Sequence, residues 1–302
     1  MLRRSLLLVA AAAAALLVVL VLQAAAATAP KFPVTVHAAN GDVQIAARPT
    51  RIVSLSPTAT ESLFAIGAGS QVVAVDDQSN YPARAPRTSL SGYTPNVEAI
   101  ATYRPDLVVV SNDGGVVAAL RKIGITVLLE PAADNFAQSY DEIRQLGTAT
   151  GHPDRARKVV RSMQVTITTL VRSVPKTKRH LKVFHELGPD LYSATSKTFI
   201  GQVYKTFGFR NIADAADKTG GGYPQLSNEY VIASNPDLVV LSDTKCCAQS
   251  AKTVAARPGW RNIAAVRNGG VIPVNDDIAS RWGPRIVDFV RIVATAARRI
   301  GS

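Results

Sequence analysis

The stretch PNVEAIATYRPDLVVVSND, Pro95 to Asp113, returns downstream as QLSNEYVIASNPDLVVLSD, Gln225 to Asp243. In each copy a glutamate, Glu98 or Glu229, precedes a Pro-Asp pair by the same interval. The pair leads into an uncharged apolar run and then a serine, Ser111 or Ser242. A continuous apolar run of this kind reads as a strand covered on both faces, and the residue before a proline is pushed out of helical geometry. Helix, Pro-Asp turn and buried strand are therefore written twice, which calls for two α/β lobes. Proline and aspartate favour turns for local reasons, so the turn accounts for them and for the strand. It does not account for a glutamate at the same place in both lobes.

The rest of the chain continues the pattern. Ile52 to Leu55 reads as a strand. Pro57 to Glu61 opens a helix, with Thr58 and Glu61 spaced as a capping box, that stops at Gly67 and Gly69. Strands are expected over Val72 to Val75, Leu107 to Val110 and Ile125 to Leu129, with helices over Val97 to Thr102 and Val116 to Ile123 between them. The alternation resumes with strands at Leu181 to Phe184, Leu238 to Leu241 and Gly270 to Val274. Helices follow over Phe199 to Phe207, Val231 to Ala233 and Ile286 to Ile300.

Between the two stretches the period changes. Ala156, Val159, Val160, Met163, Ile167 and Leu170 fall three or four apart, while Arg155, Arg157, Lys158 and Arg161 take the other face. This predicts one amphipathic helix from Pro153 to Pro175, roughly 30 Å long at ~1.5 Å per residue. It suits a strut between lobes. At 302 residues the chain is long enough for two domains with their own cores, and 47% hydrophobic against 19% charged residues excludes a disordered chain.

The start, MLRRSLLLVAAAAAALLVVLVLQAAAATA, places Arg3 and Arg4 before an apolar run and small residues, the layout of an export signal. The run is also long enough for an uncleaved anchor. Cys246 and Cys247 are the only cysteines, so no lipid is expected on an N-terminal cysteine. The net charge of +12 comes from scattered residues with few aromatics, which speaks against nucleic acid.

RIVSLSPTATESLFAIGAG, SGYTPNVEAIATYRPDLVVVS, YPQLSNEYVIASNPDLVVLSD and GPRIVDFV resemble recurrent segments of the substrate-binding proteins of bacterial ABC importers for iron-siderophore complexes and cobalamin. The resemblance runs roughly from Arg51 to the C-terminus. It implies two Rossmann-like α/β lobes bridged by one long α-helix, with a ligand cleft between the lobes. The expected divisions are 1–29 for the signal or anchor, 30–135 for the N-terminal lobe, 136–178 for a helical linker and 179–302 for the C-terminal lobe. It further implies an exported, periplasmic or membrane-associated extracellular monomer that hands a metal chelate to an ABC permease dimer. In such proteins one exposed glutamate per lobe docks on basic residues of the permease. The matching positions are Glu98 and Glu229, although a helix-start glutamate is also favoured by the helix dipole alone. Gln78 stands where an aromatic residue can occur in the cobalamin binders. The basic balance and Arg281 lean towards an anionic ferric chelate, with a corrinoid as the alternative.

Ligands of α/β lobes sit beyond the carboxyl ends of the strands, which makes Asp76, Tyr93, Ser111, Asn112, Tyr223, Cys246, Cys247, Arg281 and Trp282 the candidate ligand-binding residues. Cys246-Cys247 is open to three readings: a disulfide between neighbours, two free thiols, or a redox or metal site. Of the four histidines only His185, beside Glu186, is placed to approach a cleft, so no bare-metal site is expected. No nucleophile elbow, phosphate loop or spaced cysteine cluster is present, so no catalytic residue or cofactor is expected. An envelope interaction protein that kept the fold without transport would carry the same sequence features.

Overall fold

The computed structural model describes residues 31–178 and 180–300. The predicted export segment or anchor, and the absence of a lipidated cysteine there, lie outside the described residues. The described residues from Phe32 onward form one compact unit. Among the described residues no helix is long and apolar enough to cross a membrane.

A hairpin, β1 (Val34–Ala38) and β2 (Gly41–Ile45), precedes β3 (Ile52–Leu55), α1 (Pro57–Ala65), β4 (Val72–Val75), α2 (Val97–Thr102), β5 (Leu107–Val110), α3 (Val116–Lys122) and β6 (Val127–Leu129). Strands β4-β3-β5-β6 form a parallel sheet. The hairpin covers its β6 edge through Asn40, whose side chain pairs with the Val127 carbonyl and the Leu129 N–H. Next come α4 (Phe136–Thr150) and α5 (Pro153–Arg172), then β7 (Lys182–Glu186), α6 (Phe199–Phe207), β8 (Arg210–Asn211), α7 (Asn228–Ser234) and β9 (Leu238–Leu241). The chain closes with α8 (Ala251–Ala255), α9 (Ala264–Arg267), β10 (Val271–Pro273), α10 (Asp276–Ser280) and α11 (Ile286–Arg299). The second parallel sheet has the order β10-β9-β7-β8.

Side chains alternate across a strand, and here both faces are buried. Val108 and Val110 join a core under α2 and α3, whereas Leu107 and Val109 join the opposite core. In the second sheet Val239 and Leu241 pack with Trp260 and Val254, and Leu238 and Val240 face the other way. Both opposite faces belong to one continuous core, filled by Ala156, Val160, Met163 and Ile167 of α5 and by Phe289 and Val293 of α11. The two sheets therefore share packing through the long helix and are not independent bodies on a flexible link.

The Thr58 and Glu61 capping box is not formed. Ser56 caps α1 instead, accepting from the Ala59 N–H, and Glu61 is buried. The predicted boundaries at Gly270 and Ile125 move inward because Gly270 gives its N–H to the Ala265 carbonyl and Ile125 to Leu120, leaving both in helix-closing turns.

Candidate functional site

In a parallel sheet every strand presents its carboxyl end to the same edge. In the first sheet that edge is followed by Ser56, Asp76, Ser111 and Glu130, and in the second by Ser242, Asp243 and the Val274–Asp276 turn. The two edges face one another. Asn80, in the loop after β4, donates to Asp277 at 3.0 Å, and its side-chain oxygen accepts from Arg281 at 3.0 Å. The Phe136 ring meets Phe199 edge-on at 5.4 Å.

Asp76, Tyr93, Ser111 and Asn112, all expected from the sequence, come together around a pocket of about 450 Å³ at the first edge, with Gln78 beside them. Ser91 positions Tyr93, because its hydroxyl accepts the N–H groups of Tyr93 and Thr94. The Tyr93 ring is left 85% exposed. The chain passes so close at Gly92 that a Cβ there would lie 2.7 Å from the Leu55 carbonyl oxygen, so only glycine fits. Asp76 accepts from the Gln78 N–H through one oxygen, and its other oxygen is buried without a partner. Burial pushes its carboxyl above the usual range.

On the second edge, Cys246 and Cys247 are joined by a disulfide. Their loop is pinned by Asp276, which accepts from the N–H groups of Thr244, Lys245 and Cys246. Beneath it Asp243 is fully buried with both carboxyl oxygens unpartnered. Burial first, and then the neighbouring Glu186 carboxylate, push Asp243 up to about 7. Glu186 itself is held by a bidentate pair with Arg257 at 2.6 Å, and that guanidinium lies over the Trp260 ring. Tyr223 is half-exposed, and burial together with the charge of Asp134 from the first lobe raises its hydroxyl.

Arg281 is engaged by groups of the protein itself. It is 8% exposed and donates to Glu61, Asn80, Asp277 and the Gln78 carbonyl. Arg285 grips the same Glu61 with two bonds of 2.9 and 2.6 Å. This buried network ties α1 to the C-terminal helices across the two lobes. Trp282 sits outside the 450 Å³ pocket and donates to Glu142 at 2.7 Å, whose carboxyl burial pushes up to about 7. His185 likewise is no cleft residue. It is fully buried, bonded to Tyr204 and Ser242, and burial holds its pKa down to about 3. Among the described residues no cluster of acids, histidines and cysteines has metal-binding geometry.

The sequence reading took Glu61 only as a capping residue and gave Glu130 and Glu186 no role. Glu130 had one available signal, an acid directly behind a strand. The partners of Glu61 and Glu186 lie too far along the chain to be seen.

Glu98 and Glu229 occupy equivalent places. Each is exposed in the first turn of a short helix, behind an Asn96 or Ser227 cap that accepts an N–H three residues on. Neither forms an ion pair among the described residues.

Residues 52–277 match a family model described as periplasmic binding protein. The chain is 33% identical over 275 residues to an uncharacterized ABC transporter substrate-binding lipoprotein, YvrC, of Bacillus subtilis, with 87% of this chain and 85% of that protein covered. It is 34% identical over 275 residues to a cobalamin-binding protein of Halobacterium salinarum, covering 88% of this chain and 74% of the relative. A solved structure from Staphylococcus epidermidis, described as a possible iron-binding (periplasmic solute-binding) protein, superposes with a TM-score of 0.71 at 26% identity, covering 83% of this chain and 99% of that one.

Proposed function

The chain belongs to the periplasmic binding protein family, and on that footing we propose that it is the extracytoplasmic receptor of an ABC importer for a metal chelate. The observation that carries this reading is the pocket of about 450 Å³ at a strand-end edge that faces a second strand-end edge. Such edges are where α/β sheets hold ligands. The names of the relatives supply the ligand class. One is a cobalamin-binding protein and another a possible iron-binding protein, so a ferric siderophore is the first reading and a corrinoid the second. Asp76, Tyr93, Ser111 and Asn112 line the first side of the site, and Tyr223 with the Cys246-Cys247 loop forms the second. The shared core behind the sheets limits closure to a small movement.

Glu98 and Glu229 then dock the loaded receptor on a two-fold permease, one contact per lobe. Complementary charge of this kind sets orientation and encounter rate more than affinity. Replacing Glu98→Lys together with Glu229→Lys is expected to abolish uptake into cells or proteoliposomes while calorimetric ligand affinity stays unchanged. A fall in affinity instead would place these residues in the site or the fold. For the ligand itself, calorimetry and thermal shift with cobalamin, cobinamide, haem and ferric siderophores should give one-to-one binding by a single class. Silence from all of them would favour an envelope interaction protein without transport.

A further inference from the structure

Cys246 and Cys247 are the chain's only cysteines, and they are bonded to each other. A cross-link raises global stability mainly by closing a long loop in the unfolded chain. Between neighbours that loop is the shortest there is, so the bond contributes little of this kind. Its effect is local. The two sulfurs and the backbone between them close a ring that fixes the turn over residues 244–247.

That turn lies in the middle of a line of contacts running from one strand-end edge to the other. On one side Asp276 accepts the N–H groups of Thr244, Lys245 and Cys246, and the Lys245 ammonium donates to Asp277 at 2.6 Å. Asp277 also accepts from Asn80 of the first edge at 3.0 Å. On the other side the Cys247 carbonyl accepts from the Gln249 side chain. The oxygen of that side chain accepts from Arg257, the partner of Glu186. Ala248, between Cys247 and Gln249, is left-handed with φ of 52°, a backbone that alanine resists. The turn is thus held against the preference of its own sequence. Cys246 is exposed and Cys247 half-buried. Exposed disulfides are the labile ones, open to an external thiolate, and the neighbouring Lys245 ammonium favours the thiolates that form.

We propose that Cys246-Cys247 is a thiol–disulfide exchange site for a dithiol reductant, and that its reduction loosens the second edge from the first and weakens ligand binding. The affinity half of the inference rests on the chain being a metal-chelate receptor. A thiolate of the reductant attacks Sγ of Cys246, forming a mixed disulfide and expelling the Cys247 thiolate, which takes up a proton. The second thiolate of the reductant then attacks its own sulfur in the mixed disulfide. Cys246 leaves as a thiol and the reductant closes its own disulfide, so two electrons and two protons pass to the pair.

The test starts from the oxidised protein in native buffer. Dithiothreitol should raise the free thiols from none to two per chain without denaturant, since no other cysteine exists. The reductant is then removed in the absence of oxygen. Hydrogen exchange at the Thr244, Lys245 and Cys246 amides and in the Asn80 loop should become about tenfold faster. Calorimetric affinity for whichever of cyanocobalamin, cobinamide, haemin and ferrioxamine B binds should fall by about tenfold. Cys246→Ser with Cys247→Ser should show the reduced behaviour and no response to dithiothreitol. Should that variant fail to fold, the reduced wild-type protein carries the same comparison. A disulfide that resists dithiothreitol until denaturant is added overturns the exchange site. Unchanged hydrogen exchange, or equal affinity in the two redox states, overturns the coupling to the cleft. Binding of none of the four probes in either state counts against the receptor reading alone. The thiol titration and hydrogen exchange then still judge the site and its link to the first edge.

Discussion

Up to the last strand residue, the two copies of the repeat are built alike. Asp106 accepts the N–H groups of Thr50 and Arg51 and donates its own N–H to the Arg51 carbonyl. Asp237 makes the corresponding bonds to Lys182. Each Pro-Asp pair thus stitches the start of one strand to its neighbour. The residue before each proline, Arg104 or Asn235, takes a left-handed backbone with φ of 47° or 46°. Beyond the strand the copies part. Ser111 opens onto the 450 Å³ pocket, whereas Ser242 turns inward to His185 and the Glu186 carbonyl. The frame is duplicated, and the divergence is confined to the residues that follow it. One edge is left open and the other is braced by Glu186, Arg257 and a disulfide loop.

The contrast predicts unequal costs. Glu186→Gln strands the Arg257 guanidinium in a mostly buried setting and should cost ~3 kcal/mol in urea denaturation. Asp76→Asn, on the open edge, should change stability by less than ~1 kcal/mol, because the lost acid had an unpaired oxygen. Equal losses would erase the distinction between the braced and open edges.

A pH scan sharpens it further. The folded-state pKa of Asp243 is raised from 3.8 to about 7, so between those values the folded protein holds a proton that the unfolded chain has lost. Its contribution to stability is therefore present at low pH and fades as the pH rises through that window. Asp243→Asn should flatten the decline in the urea midpoint between about pH 4 and 7. An unaltered slope would mean that the carboxyl is already ionised beneath the loop.

The smallest effect lies within the shared frame. Arginine resists left-handed backbone more than asparagine does, so importing the residue of the other copy, Arg104→Asn, should raise stability by up to ~1 kcal/mol. The reverse change, Asn235→Arg, should lower it by more, because it also removes the side-chain oxygen that accepts the Ala264 N–H at 2.7 Å. Two neutral results would show that the turn is set by the proline and aspartate alone.

Strands such as Leu107–Val110 and Leu238–Leu241 were legible because burial on both faces leaves an uninterrupted apolar run between turn residues. The long helix was legible from its period, and α2 occupies the span expected for it. Four members of the first pocket were also legible, since strand-end loops gather at one edge by topology. The partners of Arg281 were not legible, because a sequence shows an arginine's charge and not the groups it pairs with. Its partner Glu61 is far away along the chain, and the bond exists only where α1 and the C-terminal helices meet. The cap of α1 was misplaced by two residues for a local reason, since Ser56 and Thr58 are both competent caps and the backbone selected Ser56.

The sequence by itself determined the periodicities and the duplicated turn, and with them two parallel sheets, a long connecting helix and a matched pair of exposed glutamates. These follow from interactions among near neighbours in the chain. Only the tertiary structure decided which charges are satisfied, because pairing depends on groups that folding brings together. It matched the arginines at the strand ends with buried glutamates, a pairing that composition does not reveal.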